Sequence, residues 1–196
     1  MPQIVGLSGS LRKGSFNAML LRAAGALAPA GTRVQEEGIH GIPLYDGDVE
    51  VAGIPATVQA LKDKVAAADG LLLVTPEYNN SLPGPMKNAI DWLSRPSADI
   101  ARVFRGRPVA VMGATPGPGG TGMAQAAWLP VLRTLGTVPW FGARLQIASA
   151  GNVFDAEGGI KDEKIKAQVT AFMVGFSAFV AQLRGAGAAR EGGEKK

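Results

Sequence analysis

Three stretches carry side chains able to act on a small molecule, and each follows an apolar run. In the first, Gly9-Ser10-Leu11-Arg12-Lys13-Gly14-Ser15-Phe16-Asn17, the hydroxyls of Ser8, Ser10 and Ser15 accompany the forked cation of Arg12 and two glycines that permit close backbone approach. A phosphate needs this combination, because the free N–H groups at the start of a helix point positive partial charge at it. Gly9 and Gly14 mimic the spacing of a P-loop, but Ser15 and Phe16 stand where that motif requires Lys and then Ser or Thr, which argues against nucleoside triphosphate hydrolysis. On residue chemistry alone, a phosphate cradle and a plain polar turn with Ser15 as N-cap have equal weight. Asn17 can bond either the loop or a ligand.

In the second stretch, Thr75 to Trp92, Pro76 stiffens a turn where Glu77, Tyr78, Asn79 and Asn80 present backbone and amide groups, followed by Ser81. A flat heterocycle, apolar on its faces and polar along one edge, fits such a turn. A surface loop capping the next helix is the commoner case for these residues taken alone. The third, Gly113 to Gly122, contains a literal G-x-G-x-x-G at residues 117, 119 and 122. A dinucleotide site belongs in the first βαβ unit and has an acidic residue about 20 positions on, yet 131–151 hold neither Asp nor Glu. The loop reads instead as a close-approach segment bordering the same pocket.

Composition removes many alternatives. With no cysteine there are no disulfides, thiolate metal sites or Cys nucleophiles, and the single His40 argues against histidine metal centres and a Ser-His-Asp triad. Asp46 and Asp48 lack a metal-ligand spacing and read as solvated loop carboxylates, so no metal is expected. A chain so poor in reactive groups borrows a cofactor. The net charge of +4 comes from scattered basic residues, which fits an anionic small molecule better than nucleic acid. No leader and no apolar run of about 18 residues is visible, so the reading is cytoplasmic, with no membrane.

The elements that must position these stretches alternate. Apolar strands are expected at 3–7, 32–36, 70–75, 108–112 and 143–148. Helices are expected after Ser15 (stripe Phe16, Leu20, Ala23, Leu27), over 54–68, after Pro83 (Met86, Ala89, Ile90, Leu93), near 123–135, and along Ile165, Val169, Phe172, Phe176, Phe179 and Leu183. Residues 41–48 read as a connecting loop. Strands separated by such helices need right-handed crossovers, hence a doubly wound α/β sheet. With 46% hydrophobic and 18% charged residues, one packed domain is expected over 1–184, with a disordered tail over 185–196.

Gly-Ser-Leu-Arg-x-x-Ser-x-Asn at 9–17 and Pro-Glu-Tyr-Asn-x-Ser-x-Pro-Gly-x-x-Lys-Asn-Ala-Ile-Asp-Trp at 76–92 carry a resemblance over nearly the whole chain to residue 185. The chain resembles the NADPH-dependent FMN reductase family of flavodoxin-like proteins. This resemblance implies a five-stranded parallel sheet of order 2-1-3-4-5 with helices on both faces. It implies that Ser8, Ser10, Leu11, Arg12, Ser15, Phe16 and Asn17 surround an FMN phosphate. Pro76, Glu77, Tyr78, Asn79 and Ser81 would then face the ring, with Thr115 and Gly117 flanking it. Met86 stands where the family commonly has Leu, and Trp140 stands where quinone-reducing relatives often have Glu. Trp128, Trp140 and Phe141 are either core residues or line the site of a partner subunit.

The activity implied is FMN-dependent NAD(P)H oxidation. Hydride from NADPH or NADH passes to flavin N5, then electrons pass to a small-molecule acceptor such as a quinone, azo compound, chromate or free flavin. No side chain need be catalytic, since the chemistry sits on the cofactor. The family associates as homodimers or homotetramers. The rival readings are a flavodoxin-like electron carrier and a flavin-binding regulatory module, neither with nicotinamide-linked activity.

Overall fold

Central strands that are apolar along their whole length can only be buried on both faces. Strand β1 (Gln3–Ser8) buries all but its first residue, β3 (Gly70–Val74) buries every residue, and β4 (Pro108–Ala114) all but Val111. The structure, a computed structural model, describes the backbone of residues 1–193 and the side chains of residues 1–185. With β2 (Arg33–Glu37), β5 (Val138–Pro139) and β6 (Gln146–Ile147), the strands make one parallel sheet of order β2-β1-β3-β4-β5, and β6 also pairs with β4. The strand order therefore reverses between β1 and β3, as the family resemblance implies.

Helix α1 (Phe16–Ala26) and the last helix, α8 (Glu163–Gly193), share the cluster of Ile4, Leu72, Val74, Ala110 and Met112 on one face. On the other face α3 (Ala56–Ala67), α4 (Gly84–Leu93) and α6 (Gly122–Thr134) pack on Val5, Leu7, Leu71, Leu73 and Val109. Three short helices fill the connections: α2 (Gly47–Ala52), α5 (Ile100–Val103) and α7 (Ala150–Val153). Ser15 is the N-cap of α1, its hydroxyl accepting from the Ala18 N–H at 3.2 Å. The buried face of that helix is Asn17, Leu20, Leu21 and Ala24, offset from the predicted stripe. The offset follows from Gly6, where any Cβ would overlap Leu21 Cδ1, so that Leu21 seats directly on β1.

Three expectations need correction. Residues 41–48 are not wholly loop, because Asp46 caps α2 by accepting from the Asp48 N–H at 2.9 Å. The fifth strand, expected at 143–148, is split into β5 and β6. The Trp140 N–H still bonds Val109 O, at 2.7 Å, but its indole then lies edge-on to Phe172, 4.9 Å between centroids. The chain arches outward and rejoins β4 where Leu145 O accepts from the Gly113 N–H. Helix α8 runs to Gly193, within the tail expected over 185–196, of which residues 194–196 lie outside the described residues. Finally, no apolar run of membrane length was expected, yet Glu163–Gly185 is long and apolar enough to cross a membrane by length and composition alone. Val169, Phe172, Met173, Phe176 and Val180 of that helix are buried against the sheet.

Two polar contacts fix the layers. Lys62 on α3 is fully buried, and its ammonium donates to Asp99 Oδ2 at 3.0 Å and to the Arg95 carbonyl. Asn17 does something less common. Ala114, the last residue of β4, turns its N–H and C=O toward β3, which has already ended at Val74. The Asn17 carboxamide takes the missing strand's place, donating to Ala114 O at 2.8 Å and accepting from Ala114 N at 2.9 Å.

Replacing Asn17 with Ala strands both buried peptide groups, at a cost of about 3 kcal/mol in urea denaturation. Asn17→Asp also destabilises, since a carboxylate satisfies the Ala114 N–H but confronts its carbonyl with a second acceptor. The Lys62 ammonium, hydrogen-bonded to Asp99, holds that carboxyl below its ordinary range. Its contribution is fully present above the unfolded pKa of about 4 and is lost as pH falls through the folded value. The urea midpoint difference between wild type and Asp99→Asn should therefore shrink as pH is lowered below about 4.

Candidate functional site

The carboxyl ends of β1, β3 and β4 carry the three stretches singled out from the sequence, at the point where the strand order reverses. They meet because side chains are missing at two positions. A Cβ on Gly9 would lie 2.5 Å from Met86 Sδ and 2.9 Å from Pro76 Cδ, so the first loop rests directly on the second. A Cβ on Gly113 would overlap the Thr75 carbonyl and Thr121 Oγ1, so the second rests on the third.

In the first loop Ser8, Ser10, Ser15 and Asn17 are buried, whereas Leu11 and Arg12 are exposed. Ser10 Oγ accepts from the Arg12 N–H at 3.3 Å and so tightens the turn. Among the described residues, the N–H groups of Lys13, Gly14, Phe16 and Asn17 bond no protein acceptor, and Ser8 Oγ is buried without a partner. Arg12 makes no ion pair among those residues. Open helix-end donors, an orphan hydroxyl and a free guanidinium fit a phosphate ester. Phe16 turns away from this set and stacks on Phe154, 6.0 Å between centroids. Asn17 lies between the loops, with its side-chain oxygen and nitrogen both engaged by Ala114. The sequence reading missed His40, whose Nε2 lies 3.1 Å from Leu11 O and so holds the loop from the β2 side.

The second stretch is a tight hairpin. Tyr78 N–H donates to Ser81 O at 3.1 Å and Ser81 N–H to Tyr78 O at 3.0 Å, with Asn79 (φ 50°) and Asn80 (φ 58°) between them. Two positive φ values define a type I′ turn, and Asn is among the few residues with a side chain that tolerate it. Pro76 is buried beneath, and Tyr78 is 41% exposed at the rim. Thr75 Oγ1 donates to Pro76 O at 2.8 Å and accepts from Trp128 Nε1 at 3.1 Å, which makes Trp128 a core residue. Glu77 reaches away from the turn, its Oε2 accepting from the Ala124 N–H of α6 at 3.0 Å. Among the described residues the Glu77 N–H bonds no protein acceptor.

Thr115 and Gly117 open the third loop. Thr115 N–H donates to Ile147 O at 2.9 Å, and Ala150 and Ser149 N–H donate to the carbonyls of Thr115 and Gly117. Thr115 Oγ1 faces the Gly117 N–H at 3.4 Å. Beyond Gly113, close approach falls at Gly120 and Gly122, which abut Gln146, while a Cβ on Gly117 would meet only Thr115 Oγ1 at 3.9 Å and Gly119 stands in open space.

The remainder of the 76–92 pattern has a different task. Asn88 accepts from the Tyr45 N–H and donates to Pro43 O, both at 2.8 Å, and Trp92 Nε1 donates to the same carbonyl at 2.9 Å. Spacing of i and i+4 puts Asn88 and Trp92 on one face, a readable signal, but nothing in the sequence names their partner. Trp140 packs on Phe172 and Phe176 of its own chain, and Phe141 is exposed. A cavity of about 370 Å³ lined by Val111, Gln125, Leu129, Trp140 and Arg144 opens at the β4 edge and includes none of the predicted site residues.

The family model described as NADPH-dependent FMN reductase matches residues 2–151. An NAD(P)H-dependent FMN reductase of Pseudomonas aeruginosa is 40% identical over 183 residues, covering 93% of this chain and 97% of that protein. A 2-hydroxy-1,4-benzoquinone reductase of a Burkholderia species is 39% identical over 176 residues, 90% and 94% of the two chains. Among solved structures, FerB, a flavoenzyme NAD(P)H:(acceptor) oxidoreductase of Paracoccus denitrificans, superposes with a TM-score of 0.84 at 34% identity, covering 93% of this chain and 98% of that one. With family model, relatives and architecture in agreement, the chain belongs to the NADPH-dependent FMN reductase family.

Proposed function

We propose that this protein binds FMN and uses it to move electrons from NADPH or NADH to a small-molecule acceptor, quinones foremost. The observation that carries this reading is the set of unpaired N–H groups at the amino end of α1, set against Pro76 through the bare backbone of Gly9. Bound FMN supplies the redox chemistry that no side chain here provides. The residues around it bind and orient. The first-turn N–H groups of α1 and the forked guanidinium of Arg12 hold the phosphate, and Ser8 Oγ gains the partner it lacks. Pro76, the backbone of Glu77, and Tyr78 and Asn79 rest against the ring, with the exposed Tyr78 ring as stacking surface and the Glu77 N–H as a donor to its polar edge. Thr115 and Gly117 close the other side. Asn17 acts from behind, keeping the first and third loops in register.

The reading extends to azo compounds, chromate and free flavin as acceptors, and to a homodimer or homotetramer. Light scattering on the purified protein would return a mass of two or four chains.

The purified protein should be yellow, and anaerobic NADPH or NADH should bleach it, with reoxidation by a quinone. A flavin that stays oxidised under both nicotinamides would leave an electron carrier and no reductase. Arg12→Ala should raise the FMN dissociation constant by about ten- to a hundredfold, as loss of a charge-assisted fork implies. It should leave the affinity for riboflavin, which has no phosphate, unchanged. Fluorescence quenching titrations with the two flavins check both halves of that statement.

A further inference from the structure

We infer that the Glu77 side chain is a positioning residue, not a flavin ligand: through its bond to the Ala124 N–H it fixes the turn against which the flavin ring rests. The inference builds on the proposed flavin site and goes beyond it. Ala124 is the third residue of α6, and the N–H at that position ordinarily looks to the N-cap side chain. Thr121 holds the N-cap position but makes no side-chain capping bond, and its Oγ1 accepts instead from Gln125 Nε2 at 3.0 Å. The cap arrives from 47 residues away, as Glu77 Oε2 at 3.0 Å from Ala124 N. A carboxylate there is doubly suited, as an ionised acceptor and as a negative charge at the positive end of the helix.

The consequence falls on the turn. Pro76 has no N–H, and the Glu77 N–H bonds no acceptor among the described residues. The peptides of Pro76 and Glu77 are therefore held by few contacts: Thr75 Oγ1 to the Pro76 carbonyl, the Tyr78–Ser81 pair on the far side, and the Glu77 carboxylate. Trp128, also on α6, anchors Thr75. Both side-chain tethers of the wall thus run to one helix, and Glu77 is the tether that bears directly on the residue whose free N–H faces the ring's edge.

If so, Glu77 governs the ring half of the ligand and leaves the phosphate half alone. Glu77→Ala should weaken FMN and riboflavin by the same factor, about tenfold, whereas Arg12→Ala weakens FMN alone. Glu77→Gln keeps an acceptor oxygen for Ala124 and should restore affinity for both flavins to within about threefold of wild type. A merely structural cap would lower the melting temperature of Glu77→Ala without moving either flavin dissociation constant, and that result overturns the inference. So does a Glu77→Gln variant no better than Glu77→Ala at binding either flavin. Should Glu77→Ala fail to fold, Glu77→Asp replaces it, its shorter arm unable to reach Ala124 without displacing the turn, and the same two-flavin comparison decides. If the wild-type protein binds neither flavin, the flavin site itself fails, an outcome distinct from any of these.

Discussion

A parallel sheet whose strands end at different heights leaves peptide groups without partners, and this fold has to answer that problem where its site lies. β3 stops at Val74, opposite Met112, while β4 continues to Ala114. A buried peptide left open at Ala114 would draw water into the junction of all three loops. The Asn17 carboxamide, presenting one donor and one acceptor as a peptide does, closes the ladder from α1. The same bond that satisfies the sheet fixes α1, and with it the open N–H groups of the first loop, relative to the third loop. Site geometry and sheet integrity therefore share one interaction.

Bare backbone does the rest of the joining. Gly9 against Pro76 and Met86, and Gly113 against Thr75 and Thr121, leave no volume for even a methyl group. Interior packing transmits such contacts rigidly. The first, second and third loops consequently behave as one surface, although they come from parts of the chain that are remote in sequence. That surface offers donors and an apolar rim and almost no reactive groups, which is what a protein needs if its chemistry is carried by a bound ring.

Much of this was legible in the residues. Apolar runs located β1, β3 and β4, and the strand order followed from resemblance. Ser15 was readable as a cap because its partner, Ala18, is local. Asn79-Asn80 carries the signature of a type I′ turn in two adjacent residues. What escaped were pairings between distant segments: His40 with Leu11, Asn88 with Pro43, Glu77 with Ala124. Nothing in the local pattern of an acidic or amide residue tells which backbone group will meet it. Asn17 gave a partial signal, being a lone polar residue on the face shared with Leu20, Leu21 and Ala24, and burial there required a partner.

The split fifth strand serves the site through its second piece alone, since β6 pairs with Gly113 and Ala114 and accepts from the Thr115 N–H. Local β propensity at 143–148 was real, and Gln146 and Ile147 do pair with β4. Tertiary packing overrode the rest, because Gly142 and Gly175 leave a slot that only the Trp140 indole fills, and the intervening residues must arch away. The distortion faces the outer edge of β4, at Val111 and Gly113, whereas the first two loops hang from β1 and β3 on its inner side. β4 is held there by β3 along Leu71 to Val74 and by Asn17 beyond it. Ala114 is thus held on both sides, by Asn17 and by Ile147 of β6, while Trp140 is turned onto Phe172 and Phe176 of α8.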